Sequence, residues 1–289
     1  MKSYNSTSQL GGVVTENDCF VPLDLERLIE WFIPFRSCLV AFSGGVDSTL
    51  LAFAAKKALN QRAYAVISKS PAVSFSELEY ARKIAAEIGI ELIEVVQNDL
   101  EDKKYLENSV LRCYFCRSNL VEAMRPVVVS FAIKVCVDGT HTDDMLSPRP
   151  GVKALREGGF RAPFLELQFG KEEIREMARI ANLSNWDRPS EACLSSRIAY
   201  GTEINVTGLK KIEEAENFVR SVTKARIVRV RLIGNHGVIE VEQEAVARAI
   251  ANRELLRKKL VEIGFESVEI DSAGYRSGRM LELFIKQEK

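Results

Sequence analysis

The stretch CLVAFSGGVDSTLLAFAAKK, residues 38–57, constrains this chain more than any other. An apolar run ends at Ser43-Gly44-Gly45, and helical periodicity resumes after Asp47-Ser48-Thr49. That pattern reads as a buried strand feeding a helix through a tight turn. In an open parallel sheet, ligands sit beyond the carboxyl ends of the strands. The helix that follows presents free N–H groups and the positive end of its dipole, which suits phosphate. Gly44 and Gly45 let the backbone approach an anion with no Cβ in the way. Ser43, Ser48 and Thr49 add hydroxyl donors. Asp47 repels phosphate, so its expected task is to hold Mg²⁺ or a donor that does. The turn differs from the GxxxxGK[ST] loop, because no lysine follows the glycines.

The rest of the chain to about residue 202 repeats the alternation. Residues 63–68, 91–96 and 134–139 read as further strands. Residues 48–59, 76–89 and 171–183 carry apolar residues at helical spacing, the second with Ser76 as expected N-cap and Gly89 as C-cap. The expected fold class is α/β: a parallel sheet with helices on both faces. Beyond residue 203 the order becomes α-β-β-α-β, with a single helix expected over 244–264. The expected organisation is a polar leader over 1–20, a nucleotide-binding domain over 21–202, and a small α+β domain over 203–289 for substrate binding and oligomerisation.

Composition narrows the partners. Lys and Arg number 40, as do Asp and Glu, so no global basic field recruits nucleic acid. No apolar run reaches the roughly 18 residues of a membrane span, and the first eighteen residues lack the apolar core of a signal peptide. Six cysteines without such a signal fit a reducing cytoplasm better than a disulfide framework. Cys113 and Cys116 form a CxxC, and Cys193 follows much later in EACLSSRIAYG. One CxxC alone is compatible with a redox dithiol, half a zinc site or a structural pair, with Cys193 acting by itself. A conventional zinc site lacks partners, since the histidines are only His141 and His236. Three thiolates suit a 4Fe–4S cluster with one iron left open. Arg112, Arg117 and Arg197 flank the thiols and are expected to favour thiolates.

SGGVDS resembles the PP-loop of the ATP pyrophosphatases, whose fold is adenine-nucleotide α-hydrolase-like. By that resemblance Ser43, Gly44, Gly45, Asp47 and Ser48 hold pyrophosphate, and residues 65–68, ending at Ser68, meet adenine. DGTHTDD, residues 138–144, also matches. It adds Gly139 to the nucleotide-binding residues and Asp143 and Asp144 as candidates for Mg²⁺ or a substrate cation.

CYFCRSNL, DGTHTDD, ACLSSRIAYGT, RVR (229–231) and GYRSGRM (274–280) together resemble the LarE family, ATP-dependent sulfur transferases of nickel-pincer nucleotide synthesis. The resemblance implies that a carboxylate of pyridinium-3,5-biscarboxylic acid mononucleotide is adenylated and then converted to a thiocarboxylate. It implies ATP, Mg²⁺ and a 4Fe–4S cluster on Cys113, Cys116 and Cys193, with Cys193, Cys113, Cys116 and Asp47 as the catalytic set. Sulfide or a persulfide is the implied sulfur donor. Sacrifice of the Cys193 sulfur is the alternative within the same family. A PP-loop tRNA thiolase is the rival, and neutral charge argues against it. Arg229 and Arg231 lie on one strand face and are implied as a phosphate clamp, with Arg197 and Glu216 in the same substrate site. A homo-oligomer, trimer or hexamer, is also implied.

Overall fold

The computed structural model describes residues 20–146, 149–276 and 278–280. All of the expected polar leader except its last residue lies outside them. The chain runs α1 (Phe20–Phe32), β1 (Cys38–Ala41), α2 (Val46–Leu59), β2 (Ala63–Lys69), α3 (Phe75–Ile88) and β3 (Glu91–Val96). It continues with α4 (Lys103–Leu106), α5 (Arg112–Ser130), β4 (Val135–Val137), α6 (Pro150–Glu157), α7 (Pro163–Glu166) and α8 (Lys171–Ile180). The last part comprises α9 (Val206–Thr223), β5 (Val228–Ile233), β6 (His236–Val241), α10 (Gln243–Ala251), α11 (Arg253–Ile263) and β7 (Ser267–Ile270).

Among the described residues β1 to β4 form one parallel sheet in the order β3-β2-β1-β4. Side chains alternate across it, as strand geometry requires. Cys38, Val40, Ala65 and Ile67 pack on Leu50, Leu51, Ile174 and Met177 of α2 and α8. Leu39 and Val66 face the other way, onto Leu120, Met124 and Leu155 of α5 and α6. The fold is therefore α/β with both sheet faces covered. Strand order reverses between β1 and β4, the switch point whose carboxyl ends form the ligand crevice of open α/β sheets.

A second sheet pairs β5 with β6 antiparallel and β6 with β7 parallel. Leu209, Ile212, Leu256 and Leu260 of α9 and α11 cover it. Its core also takes in Tyr105, Leu194 and Ile198 from far upstream.

Three local expectations are corrected. Helix α3 starts at Phe75 and is capped by Ser74, whose Oγ accepts from Glu77 N at 3.2 Å; Ser76 lies inside its first turn. Gly89 ends it in the left-handed region, as expected. The single helix expected over 244–264 is two, divided at Asn252, whose amide donates to the Arg248 carbonyl at 2.8 Å and competes with helix continuation. Strand β4 is shorter than the apolar run 134–139, because the chain leaves the sheet at Asp138 to bond Arg161 O at 3.0 Å.

One buried ion pair joins the two halves. Glu216 on α9 accepts from Arg197 Nε at 2.8 Å and Nη2 at 3.1 Å, and from Val230 N on β5 at 3.0 Å. No described helix is long and apolar enough to cross a membrane. Replacing Glu216 with Ala leaves Arg197 buried without its counter-charge. The expected loss is about 3–5 kcal/mol of unfolding free energy, read from the urea midpoint at unchanged slope; a change below about 1 kcal/mol would show that the pair is not structural.

Candidate active site

The glycine turn sits at the head of α2, with Gly45 as the N-cap and so no side chain over the first-turn amides. Gly44 has φ +72°, and a Cβ there would lie 2.9 Å from Ala81 Cα of α3. Only glycine meets both conditions. Ser48 Oγ accepts from Ser43 N at 3.2 Å and donates to Gly45 O at 3.1 Å, while Ser43 Oγ accepts from Gly45 N at 3.3 Å. The hydroxyls thus shape the turn. Gly139 lies against it: a Cβ there would meet Asp47 Cβ at 3.0 Å, so the turn after β4 can close on the turn after β1 only with glycine in that place.

The cation missing from the turn's own sequence arrives from elsewhere. Lys171, the first residue of α8, pairs through Nζ with Asp47. Its backbone N–H donates to Asp143 Oδ2 at 2.7 Å. A lysine at the first position of a helix faces the unfavourable end of the dipole. That misplaced charge was the available sequence signal, and the motif reading missed it. Asp144 pairs with Arg149 at 2.9 Å and accepts from His141 N at 3.2 Å. Neither Asp143 nor Asp144 is a bare carboxylate.

Two polar atoms near the turn are buried without hydrogen-bond partners among the described residues: Ser68 Oγ at the end of β2, and Asn185 Oδ1. Asn185 is itself tied to the turn, donating from Nδ2 to Gly44 O and Thr49 Oγ1, each at 2.9 Å. Unpaired buried acceptors and donors call for a polar occupant. ATP fits this set: phosphates at the glycine turn and the base towards Ser68. Mg²⁺ fits too, since it is commonly held by one or two carboxylates plus substrate phosphates, and Asp47 supplies the first.

The thiols lie along the same edge. Cys113 is the second residue of α5 and Cys116 the fifth, and Cys193 lies in the loop before the short turn Leu194–Arg197. Cys113 and Cys193 are exposed and Cys116 is half-buried. Between them Tyr105 Oη and Ser195 Oγ meet at 2.6 Å, and buried Arg112 donates to Asn108 Oδ1 at 2.6 Å and Ser195 O at 2.9 Å. Arg112 thus ties the helix that carries Cys113 and Cys116 to the segment that follows Cys193. The three thiols match a 4Fe–4S cluster in number and kind, but no three His, Cys, Asp or Glu side chains among the described residues stand at ligand spacing. The Cys193 loop is docked on the nucleotide side by Leu194 N, which donates to Ala72 O, just past β2, at 2.8 Å.

Cys116 departs from the thiolate expectation. Burial, and then Asp99, push its thiol up to about 12, outweighing Arg117. Asp99 is buried too, accepting from Gln97 Nε2 at 2.7 Å, Ser70 Oγ at 3.0 Å and Asn119 Nδ2 at 3.1 Å.

The predicted arginine clamp is closed on internal groups. Arg229 and Arg231 are 2% and 6% exposed. Arg229 pairs with Glu191 at 2.8 Å, and Arg231 bonds Glu240 at 2.8 and 3.0 Å and Ser196 O at 3.2 Å. Glu216 neutralises Arg197, whose Nη1 also holds the Cys193 carbonyl at 2.9 Å. All three arginines thus grip the loop that carries the thiol.

The Cys116 environment sets a pH dependence. With the thiol near 12 against an ordinary 9.0, its alkylation by iodoacetamide should rise about tenfold per pH unit from 7 to 10 without a plateau. Denatured protein should level off near 9. A native plateau below 9, read by peptide mass mapping, would contradict this environment.

Comparison with known proteins follows the geometry. Residues 35–113, which span β1, the glycine turn and the first CxxC cysteine, match the asparagine synthase family. An uncharacterized protein of Synechocystis sp. is 37% identical over 264 residues, 91% of this chain and 98% of its own length. One from Methanocaldococcus jannaschii is 34% identical over 242 residues, 84% of this chain and 92% of its own. Pyridinium-3,5-bisthiocarboxylic acid mononucleotide synthase of Lactiplantibacillus plantarum is 28% identical over 250 residues, 86% of this chain and 90% of its own. At the level of class these matches support an ATP-using enzyme of sulfur transfer. Glycine turn, sheet order and whole-length similarity agree: the chain belongs to one family with the Synechocystis and Methanocaldococcus proteins, carries a PP-loop domain, and is similar over most of its length to the LarE-type synthase of Lactiplantibacillus plantarum.

Proposed function

We propose that this enzyme adenylates a carboxylate of pyridinium-3,5-biscarboxylic acid mononucleotide with ATP and replaces the AMP with sulfur, giving a thiocarboxylate. The observation that carries the reading is the Leu194–Ala72 hydrogen bond at 2.8 Å, which docks the Cys193 loop beside the nucleotide crevice. In the first step a substrate carboxylate oxygen attacks the α-phosphorus and pyrophosphate leaves. A carboxylate is a poor electrophile, and its mixed anhydride with AMP is a good one. In the second step sulfur attacks the acyl carbon, and AMP leaves with the former carboxylate oxygen.

The residues divide the work. Amides at Gly44 and Gly45 and the hydroxyls of Ser43 and Ser48 cradle the pyrophosphate, and Ser68 and Gly139 border the nucleotide. Asp47 would hold Mg²⁺, which supplies charge on the phosphates. Lys171, freed from Asp47, then neutralises the departing pyrophosphate. Arg229, Arg231 and Arg197 bind the substrate phosphate, with Glu216 orienting Arg197. Cys113, Cys116 and Cys193 would hold a 4Fe–4S cluster, which when bound would supply sulfur at the sulfide level. Sulfide would replenish it directly, and a persulfide donor would do so only with a two-electron thiol reductant that releases its outer sulfur as sulfide. The exposure of Cys193 favours one second reading, in which its own sulfur is given up. The family resemblance supports a cytoplasmic homo-oligomer, trimer or hexamer, with 21–202 as the nucleotide domain and 203–289 as the substrate and assembly domain.

The test is product analysis with and without the pyridinium mononucleotide. AMP and pyrophosphate are expected only when it is present, and bulk tRNA should not replace it. ADP formation, or ATP cleavage that ignores the mononucleotide, would rule the proposal out.

A further inference from the structure

Glu191 stands where three guanidinium groups converge. Arg229 Nη1 is 2.8 Å from its carboxylate, Arg197 Nη2 3.6 Å and Arg220 Nη2 3.7 Å. They come from β5, the turn after Cys193, and α9. The carboxylate is only 14% exposed, and Arg197 and Arg229 are 2% exposed. The same arginines hold the surrounding main chain: Arg229 Nη2 donates to Ser190 O at 3.1 Å, and Arg197 Nη1 to Cys193 O at 2.9 Å.

The charge balance is uneven. Three arginines face two carboxylates here, Glu191 and Glu216, because Glu240 is engaged by Arg231 and Arg279. A single carboxylate offers two oxygens and one negative charge. A phosphate monoester offers three oxygens and close to two charges, so it matches three guanidiniums better. Glu191 also lies two residues before Cys193. The chain between them spans at most about 7 Å, so moving one moves the other.

We infer that Glu191 is a built-in stand-in for the substrate's phosphate. It fills the arginine pocket in the free enzyme. The phosphate of the mononucleotide displaces it, and this frees Ser190–Cys193 to bring Cys193 towards Cys113 and Cys116. Glu191 is thus a positioning residue that couples substrate recognition to assembly of the sulfur site. Pyridine carboxylates without a phosphate do not trigger it. The inference rests on the proposed arginine clamp.

The test uses the full-length protein prepared without a cluster, so that Cys193 is free to react, and nicotinic acid mononucleotide, a pyridinium carboxylate that carries the phosphate, beside its phosphate-free nucleoside. Calorimetry gives the affinities, and peptide mass mapping gives the Cys193 alkylation rate. In wild type the mononucleotide should raise that rate several-fold and the nucleoside should not. Glu191→Gln should bind the mononucleotide about tenfold tighter, because the competing charge is gone, and should alkylate Cys193 fast without it. Glu191→Asp should behave as wild type. If neither wild type nor Glu191→Gln binds the mononucleotide, the clamp itself fails and the inference with it. If binding occurs but the wild-type Cys193 rate does not change, or Glu191→Gln binds no tighter, only the role of Glu191 falls. The wild-type comparison decides even if the variants do not fold.

Discussion

The desolvated pair of Arg197 with Glu216 governs where the reactive loop can be. Burying two charges contributes little net stability by itself. It does impose geometry, because neither group can move without leaving the other uncompensated. Glu216 fixes α9 against β5 through the Val230 amide, and Arg197 carries that fix to the Cys193 carbonyl. The second core takes up Leu194 and Ile198 on either side of Arg197. At its other end the same segment is held by Asn185, whose Nδ2 donates to Gly44 O of the glycine turn. One stretch of chain, residues 185–198, is therefore pinned to the nucleotide crevice at one end and the arginine strand at the other.

Electrostatics across this surface works by exchange. The chain is neutral overall, yet every cation a phosphate would need is present: Lys171 with Asp47, Arg229 with Glu191, Arg231 with Glu240. Each is neutralised by an internal carboxylate in the free protein. Phosphate binding then costs less than burying new charge, since one anion replaces another. On the proposed function it also links binding to rearrangement, because two of these carboxylates, Asp47 and Glu191, belong to the glycine turn and the Cys193 loop.

Much of this was legible in the sequence where the information is local. The strand–glycine–helix turn, the four strands and the left-handed Gly89 follow from adjacent residues and their backbone preferences. What escaped depends on residues brought together by folding. Lys171 reaches Asp47 across 124 positions. The arginines two apart on β5 were rightly placed on one face, but nothing local showed that Glu191 and Glu240 would cover them. Cys116 was expected to be a thiolate from its arginine neighbours, and burial beside Asp99 reversed that. Ser74 displaced Ser76 as cap by a choice between adjacent hydroxyls that propensity does not separate.

The central claim is that the glycine turn and the thiols serve one carboxylate. Mass spectrometry of the pyridinium mononucleotide after incubation with ATP, Mg²⁺, sulfide labelled with a heavy isotope and anaerobically prepared enzyme tests it most directly. The account expects the mass gain of an oxygen-to-sulfur exchange, with the label in the product and every cysteine of the protein intact. AMP formed in step with a product that has gained no sulfur would contradict it.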